Sequence, residues 1–157
     1  MTTATMNLTS RERQIVLAVK ARLERAQVVN LVIDSIQNHM DAPSCIYVAR
    51  GASEPESYNQ SSQVIRRLHL KLGIWLAERE EVEAKLEEII QSVRNLFEAE
   101  PRLLADPTND TTALCIEMTE VGVEAPSAAV DENGQVYGEV YCAMNWQVRY
   151  EHTAGNA

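Results

Sequence analysis

Two long stretches of apolar–polar alternation constrain this chain more than any other feature. From Val64 the sequence places Val64, Leu68, Leu70, Leu72, Ile74 and Leu76 on one face, with Arg67, His69, Lys71 and Trp75 on the other. From Val136 it places Val136, Val140, Cys142, Met144, Trp146, Val148 and Tyr150 on one face, against Glu139, Asn145, Gln147 and Arg149. A period of two is the mark of a β-strand with one buried face. Both runs exceed the usual strand of about five or six residues. At about 3.3 Å per residue the last one spans on the order of 50 Å, whereas a domain of this size has a radius of gyration near ~15 Å. Two alternatives follow. The strands bend at bulges, with Gly73 and Gly138 as candidates, or they project past the domain body and pair with another subunit, because open edges carry unpaired N–H and C=O groups. Arg66 is the polar residue within the first apolar series, which points to a place at the sheet's edge.

The rest of the chain supplies helices and connections. Thr9 followed by Glu12 has capping-box spacing, and Ile15, Val16, Val19, Leu23 and Ala26 then recur at helical intervals. The expected helix runs from Ser10 to Gln27. Val28 to Ile36 is apolar and β-branched, and reads either as a helix extension or as a buried turn with a short strand. Cys45 to Ala49 is a short strand ending at Gly51. Gly51 to Ser62, rich in Ser and Glu and containing Pro55, reads as a long polar loop of the kind that often carries function. A second helix covers Glu78 to Glu100, with the stripe Val82, Leu86, Ile89, Ile90, Val93 and Phe97, and Pro101 ends it. Leu114, Ile116 and Met118 mark a third strand, Gly122 to Ala129 breaks the pattern, and Asp131-Glu132-Asn133-Gly134 is a hairpin turn. Met1 to Leu8 and Thr153 to Ala157 read as flexible ends. The order implies a single α+β domain over residues 1–157. Its expected core is a mixed, mainly antiparallel four-stranded sheet with two main helices on one face.

Chemical motifs are sparse. The sequence lacks GxGxxG, Walker A, HExxH and GxSxG patterns, and His39, His69 and His152 are far apart. Cys45, Cys115 and Cys142 are odd in number and form no CxxC, so they read as buried small hydrophobes. Asp106, Asn109 and Asp110 lack the glycine and terminal glutamate of a calcium loop. No catalytic, cofactor-binding or metal-binding residue is expected, and the chain is expected not to be an enzyme. No apolar run approaches the ~20 residues of a membrane span, and the N-terminus lacks the basic and apolar parts of a signal peptide. A soluble cytoplasmic product is the expectation. With 23 acidic against 14 basic residues the formal charge is -9, which repels phosphate and argues against tight DNA binding.

Several segments together resemble the bacteriophage tail terminator family, also described as tail completion or minor tail protein U-like. They are the amphipathic helix Ile15 to Ala26, the proline-led strand Pro43-Ser44-Cys45-Ile46-Tyr47-Val48, and a following segment with Glu54 and Glu56. To these are added the Arg67-Leu68-His69-Leu70-Lys71-Leu72 strand leading into the Val82 to Phe97 helix, the Leu103-Leu104-Ala105-Asp106-Pro107 turn, and the final Val148-Arg149-Tyr150. Thr108 and Asn109 stand where the family often has a glycine pair. The resemblance covers Arg11 to Tyr150 in element order and spacing. It implies a virion protein of the tail or neck, assembled in the host cytoplasm. Such a protein forms a homohexameric ring on the tail tube protein, ends tube polymerisation and offers a docking face to a neck or head-completion protein. DNA passes through the ring without sequence-specific binding, and no membrane is involved.

Candidate contact residues follow from this implication. Tyr47, Trp75, Tyr137 and Tyr141 lie on strand faces opposite the core and suit subunit anchors, unless a helix or loop covers them. Glu54, Glu56 and Tyr58 lie in the expected loop that would order on the tube or neck. Arg66, Arg67, Lys71 and Arg149 suit carboxylates across a subunit boundary, or plain solvation. Three other readings stay open: a different neck or head-completion protein; a small monomeric α+β enzyme or ligand-binding domain with His69 or the aromatics at the rim of a pocket between helices and sheet; and an acidic adaptor or antitoxin-like protein.

Overall fold

The computed structural model describes residues 10–35, 42–58, 63–77, 80–106, 110–130, 132–133 and 136–153. The elements are α1 (Arg11–Ala26), β1 (Leu31–Ile33), β2 (Ser44–Tyr58), β3 (Gln63–Leu76), α2 (Val82–Ala99), β4 (Leu104–Asp106), β5 (Asp110–Ala113), β6 (Glu117–Val123), β7 (Ser127–Val130) and β8 (Val136–Thr153). The main sheet is six-stranded, in the order β1-β2-β3-β8-β6 with β7 also on β8, and β4–β5 form a separate ribbon. Pairing is antiparallel throughout except β1 on β2. The α+β class and the two helices on one face agree with the sequence, but the sheet has six strands rather than four. β1 and β7, the additional strands, are too short to show a period in the sequence.

The long alternating runs pair with each other. β3 meets β8 without a register shift from Gln63↔Thr153 to Leu76↔Val140. Their N–H and C=O groups are thus satisfied within one chain, so strands shared between subunits are not needed to explain their length. The expected bulge at Gly73 is absent. A register shift does occur in β8 beside Gly138, where Ala128↔Val140 is followed by Ala129↔Tyr137. Arg66 is not at an edge either, because β3 is paired on both sides. In the sequence Leu114, Ile116 and Met118 read as one face of a single strand. Instead a bend separates β5 from β6, leaving Leu114 and Met118 buried and Ile116 exposed.

The expected Gly51–Ser62 loop is mostly strand. β2 continues to Tyr58, and only 59–62 lie outside the described residues. From Val48 onward β2 pairs with β3 alone among the described residues, so its outer edge is open. An open edge tolerates Pro55, which lacks an N–H, and the strand absorbs two register shifts, at Arg50/Ser53 and Pro55/Ser57. The scarcity of apolar residues there reflects an edge strand.

The cap of helix α1 lies one residue after the expected Thr9. Ser10 is the N-cap, and its side chain accepts from the Arg13 N–H at 3.1 Å; Thr9 lies outside the described residues. The helix ends at Gln27, whose left-handed φ of 53° breaks it before the short strand β1, so the described part of the Val28 to Ile36 stretch, residues 28–35, is a turn and strand rather than a helix extension. Helix α2 begins at Val82, and its N-cap Glu81 is left-handed and makes no side-chain cap. Of the expected flexible ends, 1–9 and 154–157 lie outside the described residues, while Thr153 belongs to β8.

Both helices pack on the face that bears Ile46, Leu68, Leu70, Leu72, Ile74, Met144, Trp146 and Val148. Ile15, Val19 and Leu23 of α1 and Leu86, Val93 and Phe97 of α2 complete this core. Each such side chain stabilises the fold by about 1.5–3 kcal/mol relative to exposure. Phe97 meets Trp146 edge-on, with ring centroids 5.6 Å apart. At one end of the core, Glu12 leaves the capping role expected of it and takes a hydrogen bond from the Tyr150 hydroxyl at 2.6 Å and another from Ser53. Arg66 Nε donates to Ser53 Oγ at 3.2 Å. The cluster ties α1 to β2, β3 and β8.

Burial, and then the bond to Glu12, push the Tyr150 hydroxyl from the ordinary 10.0 up to about 12. A raised folded value means the native state holds this proton more tightly than the unfolded chain. The contribution is therefore full below pH 10.0 and is lost as the pH climbs toward about 12. Tyr150→Phe leaves Glu12 short of a donor and should cost about 1–2 kcal/mol in urea unfolding. It should also weaken that alkaline decline. An unchanged midpoint would contradict the role of this bond.

Candidate functional site

The sheet face opposite the helices carries most of the candidate residues, and no described helix packs on it. Alternation along β2, β3 and β8 puts Tyr47, Trp75 and Tyr141 together at one end, each half-buried. Trp75 lies 4.7 Å from Tyr141 and 6.5 Å from Tyr47 between ring centroids. The cluster closes over Gly73. A Cβ there would stand 3.0 Å from Tyr141 Cε2 and 3.1 Å from Trp75 Cζ3. The isolated glycine therefore makes room for two rings rather than bending the strand. The rings in turn help cover Cys45, in register with Trp75, and Ala143, in register with Gly73, so both are buried on a face without a helix.

Beyond the aromatics the same face becomes a charged ladder. Glu54, Arg67, Arg149 and Glu117 stand in one cross-strand row on β2, β3, β8 and β6. Glu56 sits diagonally between the arginines. It accepts from Arg149 Nε at 2.9 and 3.0 Å and lies 3.6 Å from Arg67 Nη2. Arg67 also approaches Glu54 at 3.5 Å, and Arg149 reaches Glu117 at 3.2 Å. Hydrogen bonding from Arg149 holds the Glu56 carboxyl below its ordinary range, and the bond to Glu56 raises Arg149. Nearer the aromatics, Lys71 Nζ lies 3.0 Å from Glu124, which also accepts from Asn145 at 3.0 Å. The bond from Asn145, followed by that from Lys71, lowers Glu124, and Lys71 is raised by Glu124. His69 Nε2 stands 3.5 Å from Glu54. Ion pairs this exposed add little to stability because water screens them. Their effect is to cancel the field of the two arginines within the chain.

Of the candidate residues, Tyr47, Glu54, Glu56, Arg67, Lys71, Trp75, Tyr141 and Arg149 share this face. Arg66 does not; it points to the Ser53–Glu12 cluster on the opposite side. The side chains of Tyr58 and Tyr137 lie outside the described ones. Arg67, Lys71 and Arg149 were expected to meet carboxylates either across a boundary or not at all. Each instead has a partner in its own chain. Glu117 and Glu124 also belong to the face, and cross-strand register is needed to find them; Asn145 has the strand face that alternation gives it, and Gly73 lies beneath the rings rather than at a bend. The groove between the helices is lined by residues such as Arg22, Leu76, Ile89 and Leu96. Neither His69 nor the aromatic trio borders this groove. Burial raises all three thiols, Cys45 to about 11 and Cys115 to about 12, which makes them poor nucleophiles. Among the described residues, no helix is long and apolar enough to cross a membrane.

No family profile matches the chain. No curated protein matches it either. Among solved structures, a chain of the "Virion of native gene transfer agent (GTA) particle" is similar to it, with 11% identity, coverage of 95% of this chain and 97% of that chain, and a TM-score of 0.42.

Two expectations follow from the geometry. Gly73→Val forces the rings apart and should cost about 1–3 kcal/mol on overpacking grounds, with a shifted tryptophan emission; unaltered emission and stability would contradict the close approach. Glu56→Gln releases Arg67 and Arg149 together. It should increase retention on a heparin column at low salt, and identical elution would show that Glu56 does not neutralise them.

Proposed function

We propose that this chain is a non-enzymatic assembly protein that works as one subunit of a ring capping a phage tail tube. The observation that carries the reading is the aromatic trio Tyr47, Trp75 and Tyr141, half-exposed on a sheet face without a helix over it. Large rings held rigidly by strands are suited to anchoring a subunit contact, since they bury much area at small entropic cost. A cyclic ring needs a heterologous contact, in which one patch meets a different patch on the next copy. The resemblance in element order to tail terminators supplies the setting: a homohexamer on the tail tube protein, with a neck or head-completion protein docking above.

The charge pattern supports the same reading. DNA has to pass such a ring without adhering. An acidic chain whose Arg67 and Arg149 are each held by carboxylates of the same subunit offers little for phosphate to bind. The three cysteines are buried, and burial raises their thiols, which makes them poor nucleophiles.

The test is copolymerisation with the cognate tail tube protein, followed by electron microscopy of tube length. The protein should shorten the tubes and leave a ring at one end. The double variant Trp75→Ala, Tyr141→Ala should lose this effect while remaining a folded monomer by circular dichroism. Tubes of unchanged length with no terminal density would rule the capping role out.

A further inference from the structure

Arg22, toward the end of α1, is only 6% exposed. Its Nη1 donates to Glu100 Oε2 at 3.1 Å. Its Nε and Nη2 are buried and find no hydrogen-bond partner among the described residues. Arg22 is one of the residues lining the groove between α1 and α2, where Leu76, Ile89 and Leu96 supply an apolar wall and Ser92 a polar one. A guanidinium stays charged at every accessible pH, and an unmade hydrogen bond is most costly on a buried charge. Nε and Nη2 form one edge of the guanidinium fork, whose parallel N–H groups match both oxygens of a carboxylate. Glu100 uses only Nη1 and leaves that edge to another acceptor. The same carboxylate disfavours a dianion such as phosphate, while the apolar wall suits a hydrocarbon tail.

We propose that the α1–α2 groove is a binding site for an alkyl carboxylate. The Nε–Nη2 edge of Arg22 receives the carboxylate, and its hydrocarbon lies against Leu76, Ile89 and Leu96. Both a small aliphatic acid and an acidic side chain from a second protein copy have this chemistry. The proposal stands independently of the ring reading, because the groove lies on the opposite side of the sheet from the aromatic trio.

The experiment follows the Arg22 Nε–H resonance of the isotope-labelled full chain during titration with butyrate. Sodium chloride at equal ionic strength is the control. Butyrate should produce a saturable shift and chloride none. Ser92→Glu tethers a competing carboxylate in the groove and should weaken butyrate by about tenfold to a hundredfold. Arg22→Lys keeps the charge but loses the forked edge and should weaken it similarly; if that variant fails to fold, Ser92→Glu suffices. Light scattering then identifies the source. Lost self-association in Ser92→Glu assigns the carboxylate to a neighbouring copy, and unchanged self-association assigns it to a small acid. A resonance that follows ionic strength alone, or that responds to butyrate equally in Ser92→Glu, overturns the site and leaves the capping reading untouched.

Discussion

The pairing of β3 with β8 is the constraint on which the rest of this structure depends. It runs over the whole of β3 without a shift, so a single register decides which face every side chain of the two strands occupies. One slip would carry either Leu68, Leu70 and Leu72 or Met144, Trp146 and Val148 to the uncovered face, and bring Arg67 and His69, or Arg149, into the core. The cost of such a slip is what makes the register unique. β2 and β6 then add on either side, and the helices close over the apolar face alone.

The faces divide the labour. The helix-covered face is a close-packed core fastened at one end by Glu12, Ser53 and Tyr150. The other face carries the aromatic trio over Gly73 and then a ladder in which carboxylates flank arginines row by row. Since the ladder satisfies its own charges, it leaves no excess positive field. The aromatics retain apolar area available for a partner. β2, with Pro55 and its bulges, has an open edge that resists further strand pairing. A contact with another protein is therefore better served by side chains on the sheet face than by strand addition at β2.

Much of this was legible in the sequence. Period-two alternation located β3 and β8 and their buried faces, and three-and-four spacing located both helices. The same alternation placed Tyr47, Trp75 and Tyr141 each on a face opposite the core, because that is a property of single strands; their meeting depends on register. What alternation does not contain is register. The row Glu54–Arg67–Arg149–Glu117 exists only after four strands align, so the carboxylate partners of the arginines stayed hidden. Edge character was hidden too. Pro55 and the polar residues around it signal a loop when read alone, and they become strand only because β3 lies alongside. Arg66 followed the apolar series for a reason also invisible in sequence, namely that Ser53 and the Glu12 carboxylate are waiting at that end of the core.

The central claim is that this face holds copies of the chain together in a closed ring. Native mass spectrometry of the full-length protein, alone and with short cognate tail tubes, addresses it most directly. A single closed oligomer, six copies by the tail-terminator resemblance, is expected to form alone or on contact with the tube. A protein that stays monomeric under both conditions, at concentrations where the tubes themselves remain assembled, would contradict it.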